Sequence, residues 1–160
     1  MSASLPSLPI YAEFPRRIGC LTDETTEILY MLGEQDRIVG VSGYAHRPPE
    51  ARSKPRVAAF RDANFKAILD LKPDLILTFS DVQAEITREL VLRGATVMNF
   101  NQRSIAEILD MIVVLSRMVG RPEAGGWTGS DRKAAARPRG DSSVGKIVPA
   151  PAASLLRGMG

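Results

Sequence analysis

Cys20 and His46 are the only cysteine and the only histidine in the chain. This excludes a disulfide framework and a metal cluster built on thiolates or imidazoles. Long apolar runs are missing too, and nothing approaches the roughly 20 consecutive apolar residues that a membrane span needs. Neither G-x-G-x-x-G nor a P-loop pattern occurs, so the usual dinucleotide and phosphate fingerprints are absent. A basic face is lacking despite the net charge of +3. Six of the 21 basic residues but only two of the 18 acidic ones lie from Gly125 onward, which leaves 15 basic against 16 acidic before it. The foldable part is therefore slightly acidic, and no nucleic-acid partner is expected. Residues 1 to 20 also lack the apolar core of a secretory signal, because Pro6, Pro9, Glu13, Pro15 and the Arg16-Arg17 pair break every run. On that pattern the expected location is cytoplasmic, with no insertion in a membrane.

What the chain does contain is organised around I-L-D-L-K-P-D-L-I-L-T-F, Ile68 to Phe79. Pro73 ends a helix and biases Lys72 away from helical backbone, and Leu75-Ile76-Leu77 is the apolar run of a strand covered on both faces. Ligands of open parallel sheets sit beyond the carboxyl ends of the strands, which directs attention to Thr78, Phe79, Ser80 and Asp81. Upstream, Arg17 to Leu21 reads as a first strand holding Cys20 in the core. Thr22 or Asp23 caps a helix that ends at Gly33, and Arg37 to Val41 is a second strand. Two strands joined by a helix should be parallel. Asp23 and Glu24, at the helix start, discourage a bound anion there.

Ser42 to Asp62 reads as a long irregular connection carrying Tyr44, His46 and Phe60, and loops of that length in compact domains are commonly functional. Asn64 caps the next helix, with Phe65, Ile68 and Leu69 inward. Ser80-x-x-Gln83 has the form of a capping box for a helix ending at Gly94, with Ile86 and Leu90 inward. Thr96 to Phe100 is the next strand. Ser104-x-x-Glu107 is a second capping box, opening a helix with Ile105, Ile108, Leu109, Ile112 and Leu115 on one face. The fold class expected is α/β, an open, mainly parallel sheet of four to five strands flanked by helices. Three segments are expected: a loose lead-in over 1–15, an α/β ligand-binding lobe over 16–122, and a Gly-, Ala-, Arg- and Pro-rich disordered tail over 123–160.

Three stretches taken in order, R-I-G-C-L-T-D-E-T-T-E-I-L-Y-M-L-G, then R-I-V-G-V-S-G-Y with P-P-E-A and K-P-R-V, then I-L-D-L-K-P-D-L-I-L-T-F, resemble the amino-terminal lobe of the periplasmic binding proteins for cobalamin and iron-siderophores. The resemblance runs from about Arg16 to Arg121. It implies one lobe of a two-lobed receptor whose lobes are joined by a long helix and whose ligand is handed to an ABC importer. It also implies aromatic contacts to a corrinoid or similar metal chelate at Tyr44, Phe60 and Phe79, and Asp23, Ser80 and Asp81 complete the set of candidate ligand-binding residues. No catalytic residue, resident metal or cofactor of its own is expected. In the family an acidic residue docks to arginines of the permease, and the matching position here is Lys66, with Glu50 or Asp62 as substitutes. The low-complexity sequence after Pro122 stands where the connecting helix should begin, so a truncated product is expected. An apolar patch near Val113 to Val119 would then be exposed and favour self-association. Two other readings stand beside the receptor: a nucleotide-binding type of α/β enzyme using Asp23, His46 or Asp81 as acid or base, and a folded fragment without function.

Overall fold

The computed structural model describes residues 15–126. Five parallel strands form one sheet: β1 (Ile18–Cys20), β2 (Ile38–Ser42), β3 (Arg56–Ala58), β4 (Leu75–Phe79) and β5 (Val97–Phe100). Their spatial order is β3-β2-β1-β4-β5. Four helices connect or follow them: α1 (Asp23–Met31), α2 (Phe65–Asp70), α3 (Ala84–Leu92) and α4 (Ile105–Met118). The sheet expected to be mainly parallel is wholly parallel, apart from one isolated antiparallel bridge between Ala58 and Ala63.

Helices cover both faces of the sheet. On one side Ile28, Leu29 and Leu32, at the end of α1, and Leu109, Met111, Ile112 and Leu115 of α4 pack on Ile18, Cys20, Leu75 and Leu77. On the other, Ile68 of α2 and Ile86 and Leu90 of α3 pack on Ile76 and Val57. The L-I-L run of β4 thus feeds both cores, Leu75 and Leu77 one way and Ile76 the other, as side chains alternate along a strand. Leu77 is wholly buried, which stabilises the fold by about 2 kcal/mol relative to an exposed leucine.

The entry to β4 is fastened by polar contacts. Lys72 leaves the right-handed helical region at φ 49° before Pro73. The Arg17 guanidinium donates from Nε to the free carbonyls of Leu71 and Lys72 at 3.1 Å each, partners that the last turn of α2 would otherwise lack. Asp74 accepts the backbone N–H groups of Arg16 and Arg17 at 2.8 and 3.0 Å, so β1 and β4 start in register.

Several expectations need correction. The connection 42–62 is not irregular throughout: it contains a 3-10 turn at Pro49–Ser53 and the edge strand β3. A three-residue strand shows no alternation to detect, and Pro55 immediately before it suits only an edge. Ser80 and Gln83 do not form a capping box. Ser80 Oγ accepts from Val82 N at 3.2 Å, while the Gln83 side chain turns inward and α3 starts only at Ala84, after a 3-10 turn at Asp81–Gln83. The second box forms in altered shape: Ser104 Oγ accepts from Glu107 N at 3.3 Å, but Glu107 accepts from Arg103 N at 2.6 Å. The apolar patch at Val113 to Val119 does not open, because Leu115 and Val119 belong to the core and Val114 is the one apolar residue of this stretch that is exposed. Among the described residues no helix is long and apolar enough to cross a membrane. The lead-in over residues 1–14 and the tail from 127 onward lie outside the described residues.

Candidate functional site

In the order β3-β2-β1-β4-β5 the chain runs outward one way from β1 to β3 and the other way from β4 to β5. The connections after β1 and β4 therefore leave in opposite directions and open a crevice at the carboxyl edge of the sheet, where open α/β sheets bind ligands. A cleft of about 380 Å³ lies there, lined by Leu21, Thr22, Asp23, Glu24, Ser42, Tyr44, Phe60 and Phe79. Each segment ending at this edge from β1 to β4 contributes: Leu21 follows β1, Ser42 ends β2, Phe60 follows β3 and Phe79 ends β4.

The aromatic groups are held by backbone, not by packing. Tyr44 is 53% exposed and Phe60 48% exposed, while Phe79 is half-buried. Tyr44 N donates to Ser42 Oγ at 3.1 Å. Phe60 sits at the tip of a turn closed by the Ala58–Ala63 bridge and by Ala59 N donating to Asp62 O at 2.7 Å. Behind Phe79 the backbone of Ser80 takes φ 51°, ψ −174°, a region almost reserved for glycine.

The floor belongs to the start of α1. Thr22 is its N-cap, and its carbonyl accepts the buried hydroxyls of Thr25 and Thr26 at 3.3 and 3.0 Å. Asp23 and Glu24 occupy the first turn, so the positive end of the helix dipole is met by the protein's own carboxylates. Burial raises the Asp23 carboxyl above the usual range and the charge of Glu24 raises it further, while a hydrogen bond from Ser42 and electrostatic interaction with His46 and Arg47 offset part of this. Among the described residues no basic side chain lines the cleft. Cys20 is buried beneath it, and burial pushes its thiol up to about 12, so the thiol is unreactive.

Four of the residues singled out from sequence, Asp23, Tyr44, Phe60 and Phe79, meet in this cleft. Ser80 is buried just behind the lining, and Asp81 is exposed, paired with Arg103 at 2.6 Å, which holds its carboxyl below the usual range. His46 is exposed on its loop, outside the lining. Lys66 is exposed on α2 and pairs with Asp70 at 2.5 Å. Glu24 and Ser42 line the cleft although sequence reasoning did not select them. Their signal, a position just past or at a strand end, acquires meaning only once β1 and β2 are known to neighbour the crevice. Among the described residues no group of three or more His, Cys, Asp or Glu side chains could hold a metal ion.

Comparison with known proteins agrees with this geometry. A family model described as periplasmic binding protein matches residues 18–136. The vitamin B12-binding protein of Vibrio cholerae serotype O1 is 38% identical over 128 residues, which is 78% of this chain and 45% of the relative. That of Salmonella typhimurium is 31% identical over 122 residues, 76% of this chain and 45% of the relative. The chain thus spans about half the length of the curated relatives it matches. The crystal structure of the periplasmic vitamin B12-binding protein of Vibrio cholerae superposes with a TM-score of 0.63 at 34% identity, over 74% of this chain and 47% of that one. A periplasmic heme-binding protein from Pseudomonas aeruginosa shares the fold, with a TM-score of 0.65 at 19% identity, over 76% of this chain and 43% of that one. Parallel sheet, crevice at the switch point and family match together place the chain in the periplasmic binding protein family.

Proposed function

We propose that residues 16–122 are the amino-terminal ligand-binding lobe of a receptor for a corrinoid or similar flat metal chelate, serving an importer of the ABC type. The observation that carries this reading is the cleft wall of Tyr44, Phe60 and Phe79, three aromatic side chains from three strand ends around one crevice. Aromatic faces suit a broad, largely apolar ligand and need no chemistry from the protein. The names of the relatives support the same ligand class. Against the enzyme reading, the lining among the described residues offers two carboxylates and two hydroxyl groups beside the aromatic residues but no histidine, lysine or cysteine.

Charge narrows the class. Asp23 and Glu24 present carboxylates and no described lining residue offers a cation, so a neutral or cationic chelate is favoured over one bearing carboxylates or catecholates. Docking to arginines of a permease would rest on the exposed Glu50 or Asp62, since Lys66 has the opposite charge.

The test is calorimetric titration of the chain with cyanocobalamin and, separately, with haemin, whose propionates are anionic. Saturable heat is expected with cyanocobalamin, weaker than a ligand enclosed between two lobes would give, and lost in a Tyr44→Ala, Phe79→Ala double variant. Haemin is expected to gain affinity by about tenfold in Asp23→Asn, Glu24→Gln. No heat from the folded chain, or heat unchanged in the aromatic double variant, would overturn the reading.

A further inference from the structure

The ladder between β1 and β4 pairs Ile18 with Leu75, Gly19 with Ile76 and Cys20 with Leu77. One more bond follows, from Leu21 N to Leu77 O at 2.9 Å. In a parallel ladder the next bond would run from Phe79 N–H to Leu21 C=O. It is not made. The side chain of Gln83 stands between the two groups: its Oε1 accepts from Phe79 N at 3.0 Å and its Nε2 donates to Leu21 O at 3.0 Å. The second Nε2 hydrogen reaches Phe60 O at 3.3 Å. Gln83 is 1% exposed, and only one orientation of its amide satisfies all three partners.

We infer that Gln83 is a positioning residue of the cleft, a side-chain amide standing in for a peptide unit where β1 and β4 part, which sets the spacing of the crevice and fixes Phe60 and Phe79 in its wall. A direct Phe79–Leu21 bond would draw the two strand ends together beneath the ligand. The inserted amide satisfies both groups at a wider separation and ties the Phe60 turn to the same point. Tyr44 is outside this device, being held by Ser42. As a role in ligand binding the inference rests on the receptor reading above, but the geometry can be tested without a ligand.

The first measurement is amide hydrogen exchange on Gln83→Met, which keeps the length and removes the amide, and on Gln83→Glu. In Gln83→Met, protection at Phe79 N–H and across the Phe60 turn is expected to fall by about tenfold or more, with the amides of α4 unchanged. Gln83→Glu keeps an acceptor for Phe79 N–H but no donor, so it should lose protection across the Phe60 turn while its carboxylate faces the carbonyls of Leu21 and Phe60. It should recover at acid pH, where a protonated carboxyl again offers both a donor and an acceptor. Uniform loss of protection in both variants at every pH, or unchanged protection at Phe79 and the Phe60 turn, would overturn the inference. The second measurement is cyanocobalamin affinity in double-mutant cycles. Gln83→Met should be non-additive with Phe79→Ala and additive with Tyr44→Ala, and equal additivity with both would overturn the binding role. If the wild-type chain binds no corrinoid, the receptor reading fails and the exchange result alone decides whether Gln83 spaces the strands.

Discussion

Ser80 carries backbone strain directly behind a half-buried aromatic of the cleft wall. With φ 51° and ψ −174° it occupies a conformation that costs a non-glycine residue about 1–3 kcal/mol. Several contacts hold it there: Ser80 N donates to Phe100 O at 2.7 Å, its carbonyl accepts from Asn99 Nδ2 at 3.1 Å, and its hydroxyl accepts from Val82 N. The neighbouring strand β5 thus helps impose the turn that ends β4 and starts the segment leading to α3. Comparing two substitutions isolates the strain, since Ser80→Ala and Ser80→Gly lose the same hydroxyl. Urea unfolding is expected to show the alanine variant less stable than wild type by about 1 kcal/mol. The glycine variant should be more stable than the alanine variant by about 1 kcal/mol, the strain relieved less the added chain entropy of glycine. Equal stabilities would mean that the surrounding contacts relax to accommodate either residue.

Among the elements, α4 is tied to the sheet at the end remote from the cleft. Glu34, nearly buried, accepts from Arg37 Nε and from Arg121 Nε at 2.6 Å each. Arg37 also donates to Pro15 O at 2.8 Å and Val119 O at 3.4 Å. The cluster therefore joins the end of α1, the approach to β2 and the end of α4. Burial acts to raise the Glu34 carboxyl, but the hydrogen bonds from Arg121 and Arg37 outweigh it and leave the carboxyl below the usual glutamate range. A carboxyl depressed in the folded state contributes stability that is fully present above its unfolded value, about 4.3, and is lost as pH falls through the folded value. Glu34→Gln is expected to cost about 2 kcal/mol at pH 7 and to remove this acid sensitivity, read as the slope of stability between neutral pH and about pH 3. Asp23 and Glu27 have the opposite sign. Their carboxyls are raised, chiefly by burial, so each opposes folding above its folded value and ceases to do so on acidification. An unchanged acid slope in Glu34→Gln would show that other carboxylates govern it.

For the molecule as a whole, the sheet and its helices were legible in the sequence because their signals are local. Asn64 and Ser104 cap their helices as the side chains suggested, and the apolar run of Leu75 to Leu77 is buried on both faces. β3 escaped because three residues beside a proline carry no period. The aromatic residues of the cleft and Asp23 were legible in the sequence, but that Glu24 and Ser42 join them was not. That depends on strand order, which no single stretch encodes: Leu21 and Ser42 matter because β1 and β2 lie next to the crevice. Gln83 was hidden differently, since S-x-x-Q matches a capping box while the side chain turns inward to complete a ladder begun 62 residues earlier.

Strand order also governs the sequence of events during synthesis. β1, the first strand made, lies at the centre of the sheet, and its partner β4 begins only at Leu75. A chain growing from the ribosome can pair β1 with β2 early, but one edge of β1 and the apolar faces beside it stay uncovered until β4 emerges. Such intermediates expose unpaired edges and apolar surface. A chain shortened to end before Leu75 is expected to show no cooperative thermal transition and to associate, whereas one ending at residue 126 should melt in a single step. Translation of the intervening segment is thus an interval of vulnerability, when a holding chaperone would have most to grip.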